Sequence, residues 1–174
     1  WAAMGCEGWG YDDVLPYFLR AEDNVRGASE FHGTGGPLTV SENRSRNEMS
    51  LAFVAAAKSA GYAENPDFNG PEQDGVAMFQ VTQRRGARCS TADAFLRPAL
   101  KRPNLEVRTK AQVLGLELQG DRVTGVRVVA SDDIDETISA DLLVDAMGRT
   151  SPLPKFLERA GYAVPGEHGT AATL

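Results

Sequence analysis

Residues 114 to 129 read with a period of two, and no other stretch constrains the fold as much. Leu114, Leu116 and Leu118 alternate with Gly115 and Glu117, so successive side chains fall on opposite faces of a strand. Gly120-Asp121 supplies a tight turn into a second β-rich run, residues 123 to 129, which together make a hairpin signal. Upstream, Leu105, Val107 and Thr109 alternate with Glu106 and Arg108, which predicts a further strand over 105 to 109. The chain therefore needs an antiparallel sheet, and its remaining segments supply helices.

The first of these helices is announced by Asp12, read as an N-cap, with Val14, Leu15, Phe18 and Leu19 on one face. Pro16 then has to sit in the first turn, where its missing N–H has no intrahelical partner. A second helix is predicted over residues 46 to 60, with Phe53, Ala56, Ala57 and Ala60 on one side and Gly61 as its stop. Ser90 and Asp93 form a variant capping box for a short helix over 91 to 96, closed by Pro98. A last helix is predicted over 152 to 160, with Gly161 behind it.

Between the helices, residues 27 to 38 and 61 to 75 are rich in Gly and Pro and read as loops. Brief strands are expected over 38 to 41 and 76 to 83. Residues 131 to 136 carry four acids and predict an exposed connector, whereas Leu142-Leu143-Val144-Asp145-Ala146 predicts a strand buried on both faces and ended by Gly148. Residues 163 to 174 read as a polar tail. No internal repeat is present.

Composition narrows the function. A net charge of −6 in 174 residues, with 18 basic side chains scattered among 24 acids, opposes nucleic acid as a partner because the field repels phosphate. The longest apolar run, residues 51 to 57, is far shorter than the ~20 residues of a membrane span. Cys6 and Cys89 stand far apart without a CxxC companion, so they read as free thiols of a cytoplasmic protein rather than zinc ligands or a disulfide. The chain starts at Trp1 without a charged or apolar leader, so it reads as the middle of a longer protein with no targeting segment.

Three blocks carry a resemblance: GWGYDDVLPYFLRAED (8 to 23), FHGTGGPLTV (31 to 40) and the long stretch from Pro66 to Thr109. Together they resemble the glucose-methanol-choline (GMC) oxidoreductase family, its choline dehydrogenase-like members most of all, over roughly residues 1 to 130. The resemblance implies a flavin adenine dinucleotide (FAD) enzyme that moves a hydride from a small alcohol substrate to the flavin. It also implies the fold class: α+β or α/β, with a partial Rossmann-like FAD-binding domain and part of an antiparallel-sheet substrate domain. Residues 1 to 100 would be the partial substrate domain with a lid segment, and 101 to 162 the partial FAD-binding domain.

Residue roles follow from the same resemblance. The position of Val113 implies main-chain hydrogen bonds to the adenine edge of FAD. Ala146 and Gly148, at the end of the apolar strand, imply room for the dinucleotide. His32 lies where the family places cover over the cofactor, while on its own it reads as a loop hydrogen-bond donor. His168, in the tail, has no neighbouring partner and receives no role.

The family's Gly-rich fingerprint, where glycines admit a pyrophosphate to a helix end, has no match in these residues. Gly5, Gly8 and Gly10 run in the wrong spacing, and Gly33, Gly35 and Gly36 are followed by Pro37 rather than a helix. No residue matches the family's C-terminal catalytic histidine either. The expectation is a flavin-dependent alcohol oxidoreductase segment that is inactive alone.

One segment departs from the family pattern. Residues 141 to 162, with Asp145-Ala146-Met147-Gly148 and an early Ser151-Pro152, resemble the closing flavin strand of FAD-dependent monooxygenase-type flavoproteins. A divergent relative or a join near residue 131 would each produce this. A monooxygenase segment and a non-catalytic binding module on the same scaffold are the alternative readings.

Overall fold

A computed structural model describes residues 1–130 and 134–163. They form two compact units, residues 1–106 and 107 onward. In the first unit, helix α1 (Tyr11–Ala21) leads directly into strand β1 (Glu22–Asn24), which pairs in parallel with β2 (Leu38–Glu42). After helix α2 (Glu48–Ser59), strand β3 (Gln80–Arg84) returns antiparallel to β2 and turns into the two-residue β4 (Ala87–Arg88). The sheet order is β1-β2-β3-β4.

α1 starts earlier than Asp12 predicts. Gly10 is the N-cap, and its N–H donates to Asp13 Oδ2 at 3.0 Å, which leaves Asp12 and Asp13 together in the first turn beside the positive helix end. Pro16 consequently lies beyond the first turn, where the Asp12 carbonyl would otherwise receive its N–H. The glycine loop after β1 packs against the last turn of α1. A Cβ on Gly33 would stand 1.8 Å from Leu19 O, and one on Gly36 2.5 Å from the Ala21 carbonyl, so only glycine fits there.

α2 is capped by Asn47, whose Oδ1 accepts the Met49 N–H at 2.8 Å. The Ser90–Asp93 box forms as expected, with Ser90 Oγ donating to Asp93 Oδ2 at 2.6 Å and accepting the Asp93 N–H at 3.2 Å. The helix behind it is a π turn, Ala92–Leu96, that runs into α3 (Arg97–Ala99), so Pro98 continues the turn rather than closing it. The strand expected over 76 to 83 is confined to Gln80–Arg84, with one isolated bridge from Val76 to Glu64.

The second unit is the hairpin and what packs on it. β5 (Gln112–Gln119) pairs antiparallel with β6 (Arg122–Val129), and β6 with β7 (Asp135–Ser139), in the order β5-β6-β7. Val126 and Val128 are its buried apolar residues among those described. A 3₁₀ turn, Gly148–Thr150, precedes helix α4 (Leu153–Arg159).

Three expectations fail here. Residues 105 to 109 form no strand, because alternation makes a strand only where a neighbour completes the ladder. The acidic connector proves to contain β7 from Asp135; charged residues suit an edge strand, where they discourage further pairing. Residues 131–133 of that segment lie outside the described residues. Residues 142 to 146 are extended but lie in no ladder, and Leu142 and Val144 are about three-quarters exposed (79% and 75%). A strand buried on both faces requires a neighbour on each edge, and the described residues supply none. The tail from 164 onward also lies outside the described residues.

Candidate functional site

In the second unit, two of the three residues singled out by sequence, Val113 and Ala146, line one apolar slot. Val113 from β5 and Ala146 from the extended segment line a cavity of about 250 Å³, together with Leu116, Val126, Leu143 and Phe156. The sequence puts them there through two local features. The register between β5 and β6 shifts between Val113 and Gly115, a bulge that re-aims side chains and interrupts pairing. β5 is also the outer strand of its sheet, so one edge carries backbone groups without a strand partner among the described residues.

On the other side of the slot, Asp145 shapes the chain. Its Oδ1 accepts the Met147 N–H at 2.9 Å, its Oδ2 accepts the Ser151 hydroxyl, and Ser151 Oγ accepts the Leu153 N–H at 3.0 Å. This turns the extended segment into the 3₁₀ turn and starts α4. The Ser151 hydroxyl, and then the Met147 N–H, hold the Asp145 carboxyl below its ordinary value, so it is anionic at neutral pH. Gly148 adopts φ +68° at the head of the turn, and a Cβ there would meet nothing within 4 Å. It does not line the slot itself.

The slot is lined mainly by apolar side chains, among them Val113 of the outer strand β5. A site for a whole drug-sized ligand measures roughly 300–1,000 Å³, so a cavity of about 250 Å³ suits one ring system of a dinucleotide and not the entire molecule. The residues fit FAD to that extent.

His32 lies in the first unit and is buried, at 9% exposure. Its Nδ1 is 3.0 Å from Glu22 Oε2 and its Nε2 is 2.9 Å from Asp67 Oδ2. Glu22 Oε2 also accepts the Gly33 N–H at 3.0 Å, and Asn24 Nδ2 donates to Glu22 Oε1 and to Gln80 Oε1, each at 3.1 Å. Burial disfavours the imidazolium, but the hydrogen bonds and charges of Glu22 and Asp67 outweigh it and raise His32 above its ordinary value. The ring thus donates in a loop, between two carboxylates.

Sequence reasoning gave no role to Glu22 or Asp67, and marked Asp145 and Ser151 only as part of the divergent 141 to 162 run. Asp145 and Ser151 flank the 3₁₀ turn, and the early Ser151-Pro152 pair is the signal that could have marked it. Glu22 and Asp67 carry no such mark, because what joins them to His32 is a tertiary contact across 35 residues on the Asp67 side. Among the described residues no group of histidines, cysteines and acids could hold a metal ion, and no helix is long and apolar enough to cross a membrane.

Comparisons with known proteins give the family. The sequence model of the GMC oxidoreductase family matches residues 1–167, a span that includes the divergent 141 to 162 segment. An oxygen-dependent choline dehydrogenase from Rhizobium rhizogenes is 39% identical over 169 residues, covering 97% of this chain and 30% of that protein. A second one, from Rhizobium meliloti, is 38% identical over the same coverage. Among solved structures, pyridoxine 4-oxidase from Mesorbium loti superposes with a TM-score of 0.81 at 32% identity, covering 91% of this chain and 31% of its own. Formate oxidase, at 22% identity and a TM-score of 0.68, shares the fold. The chain thus spans about 30% of the length of the curated relatives it matches.

Proposed function

Because this chain belongs to the GMC oxidoreductase family, we propose that it is a segment of an FAD-dependent oxidoreductase acting on a small alcohol. The observation that carries the reading is the match across residues 1–167, which joins the glycine loop, the 66–109 block and the cavity segment in one family pattern. Two relatives are named for choline and pyridoxine, both alcohols. When bound, FAD supplies the hydride acceptor for oxidation of the alcohol carbon.

The chain's own residues position and shield. The first unit, with its helices and four-stranded sheet, is assigned to the substrate side, and the second unit to the cofactor side. Val113 offers its backbone at the bulged edge to an adenine ring, whose amine and ring nitrogen match one carbonyl and one N–H. Ala146 keeps the facing wall of the slot low, and Gly148 leaves the approach to it open. Leu116, Val126 and Phe156 exclude water from the ring face. His32 acts indirectly, by holding the loop that covers its neighbourhood. The free Cys6 and Cys89 suit a reducing compartment, so the cytoplasm is the proposed location.

The test is flavin content. In the full-length protein, Ala146→Phe fills the slot and should lower the flavin-to-protein ratio at least roughly tenfold, about the effect of losing 1.4 kcal/mol of binding. Full occupancy in that variant would remove the slot from the cofactor site. The reaction class is tested separately, by alcohol-dependent dye reduction with a panel of small alcohols; no reduction by any of them would overturn it. The 174 residues alone contain neither the pyrophosphate fingerprint nor the family's basic histidine, so by themselves they should give no turnover.

A further inference from the structure

We propose that the apolar groove between α2 and the 68–79 segment is an intramolecular docking surface, filled in the full-length protein by an apolar segment of the same polypeptide that lies outside these 174 residues.

The groove has a volume of about 550 Å³, with Met49 and Phe53 of α2 on one wall and Phe68, Met78 and Phe79 on the other. The spacing of four residues puts Met49 and Phe53 on the same side of the helix. Phe68 and Phe79 stack at 4.5 Å between ring centroids and 29° between planes, so the opposite wall is a preformed aromatic plate. Ser50 is the one polar side chain in the lining, and no charged residue faces the groove. A charged segment would be buried there without a partner, so the occupant is apolar. The two methionines suit such an occupant, because their side chains adapt to an irregular surface.

The first unit needs such a cover. Its buried apolar residues among those described are the small Cys89 and Ala94, while Met49, Phe53 and Phe79 stand 77%, 70% and 65% exposed. A unit that leaves its largest apolar side chains in water forgoes most of the area that stabilises a fold, and a contiguous exposed apolar patch marks a surface that something else covers. The family relationship supplies that something. The chain spans 30% of the choline dehydrogenase from Rhizobium rhizogenes and 31% of pyridoxine 4-oxidase, on which it superposes with a TM-score of 0.81, so most of each relative's polypeptide lies outside the matched part.

Two other occupants fit less well. A second copy brings another net charge of −6 against the first, and it must find the groove from solution, whereas a tethered segment is held close at high effective concentration. A small molecule would fill the groove and leave the rest of the face bare. That face continues past Phe53 over the exposed Ala56 and Ala60, a length of roughly 16 Å from Met49 at the helical rise, and its small residues let a packed segment come close. In these 174 residues α2 has only its ends to hold it; the docked segment adds the missing side. The proposal rests on family membership and not on the reaction.

The experiment places the photoreactive p-benzoylphenylalanine at position 53 of the full-length protein, irradiates it, and identifies the cross-linked peptides by mass spectrometry from the monomer and dimer bands. The dominant partner should be a peptide of the same polypeptide outside the 174 residues, recovered from the monomer band. A partner found in the dimer band, a partner lying only within the 174 residues, or no cross-linked peptide at all would each overturn the docking. In the full-length protein, Phe53→Asp buries an unpaired charge and should raise the unfolding equilibrium constant at least roughly tenfold in denaturant titration, with Phe53→Leu restoring most of the loss. A Phe53→Asp protein as stable as the wild type would also overturn it, and should that variant not fold, the cross-link decides. Neither measurement uses flavin or alcohol, so a failure here leaves the alcohol reading standing.

Discussion

The two units bury opposite chemistries. Residues 1–106 enclose Asn24, His32, Thr39 and Asn65, four polar side chains, beside Cys89 and Ala94, whereas residues 107–163 enclose Val126 and Val128 under a three-stranded ladder. A polar interior holds only if each donor meets its acceptor, so it depends on geometry and protonation. An apolar ladder depends on area and shape and is largely indifferent to pH. The first unit should therefore respond to small steric and charge changes that the second ignores, and the reverse holds for lost methyl groups.

The sharpest break is Gly33→Ala. Its Cβ would lie 1.8 Å from Leu19 O, a backbone atom that cannot move without displacing the end of α1. Unit 1 should lose at least about 3 kcal/mol. Denaturant titration with exchange monitored separately in β1–β2 and in β5–β6 checks it; equal losses in both units would erase the comparison. Val128→Ala is the converse. Val128 is 3% exposed on β6, and its truncation should cost unit 2 about 2 kcal/mol while β1–β2 keeps its protection.

The pH response separates the units further. A raised His32 value means stability is fully present below the unfolded value of about 6.5 and is lost as pH rises through the folded value. Glu42 acts on the acid side. Held low chiefly by its hydrogen bond from Arg26, it contributes above the ordinary carboxylate range and loses that as pH falls through its folded value. Unit 2 has Asp145, which is also lowered and so gives only an acid limb. An alkaline loss of stability, setting in above about pH 6.5, should therefore appear in unit 1 and be absent in unit 2, and Asp67→Asn should flatten it. Thermal melts followed by unit-specific probes measure this, and an alkaline limb in unit 2 would show that the division is wrong.

What could be read in the sequence was whatever is settled within a few residues. The hairpin at Gly120-Asp121, the α2 segment and the Ser90–Asp93 box each depend on near neighbours, and each forms. What failed depended on distant ones. Residues 142 to 146 have the composition of an inner strand, but an inner strand is defined by what lies beside it. β7 carries Asp135 and Glu136 because it is an edge, and an edge looks like a connector until its partner is known. For the candidate site, the sequence named Val113 and Ala146, which meet at one slot, and His32, but neither of the carboxylates that hold His32. Glycine spacing showed a loop at 33 to 36 and not that α1 lies against it.

The smallest effect tests the same comparison inside unit 1. α2 has no buried residue, and Phe53 on its apolar side is 70% exposed, so tertiary packing among the described residues contributes little to it. A helix with so little support depends on its ends. Asn47 provides one, its side chain satisfying the Met49 N–H at 2.8 Å. Asn47→Ala should cost about 1 kcal/mol and Asn47→Ser nearly nothing, because serine restores the acceptor. The loss should show as faster exchange in the first turn of α2, with β1–β2 and the hairpin unaffected. Unchanged exchange in Asn47→Ala would mean that α2 is held by contacts along its apolar side, and that side would then belong with the packed elements rather than with the capped ones.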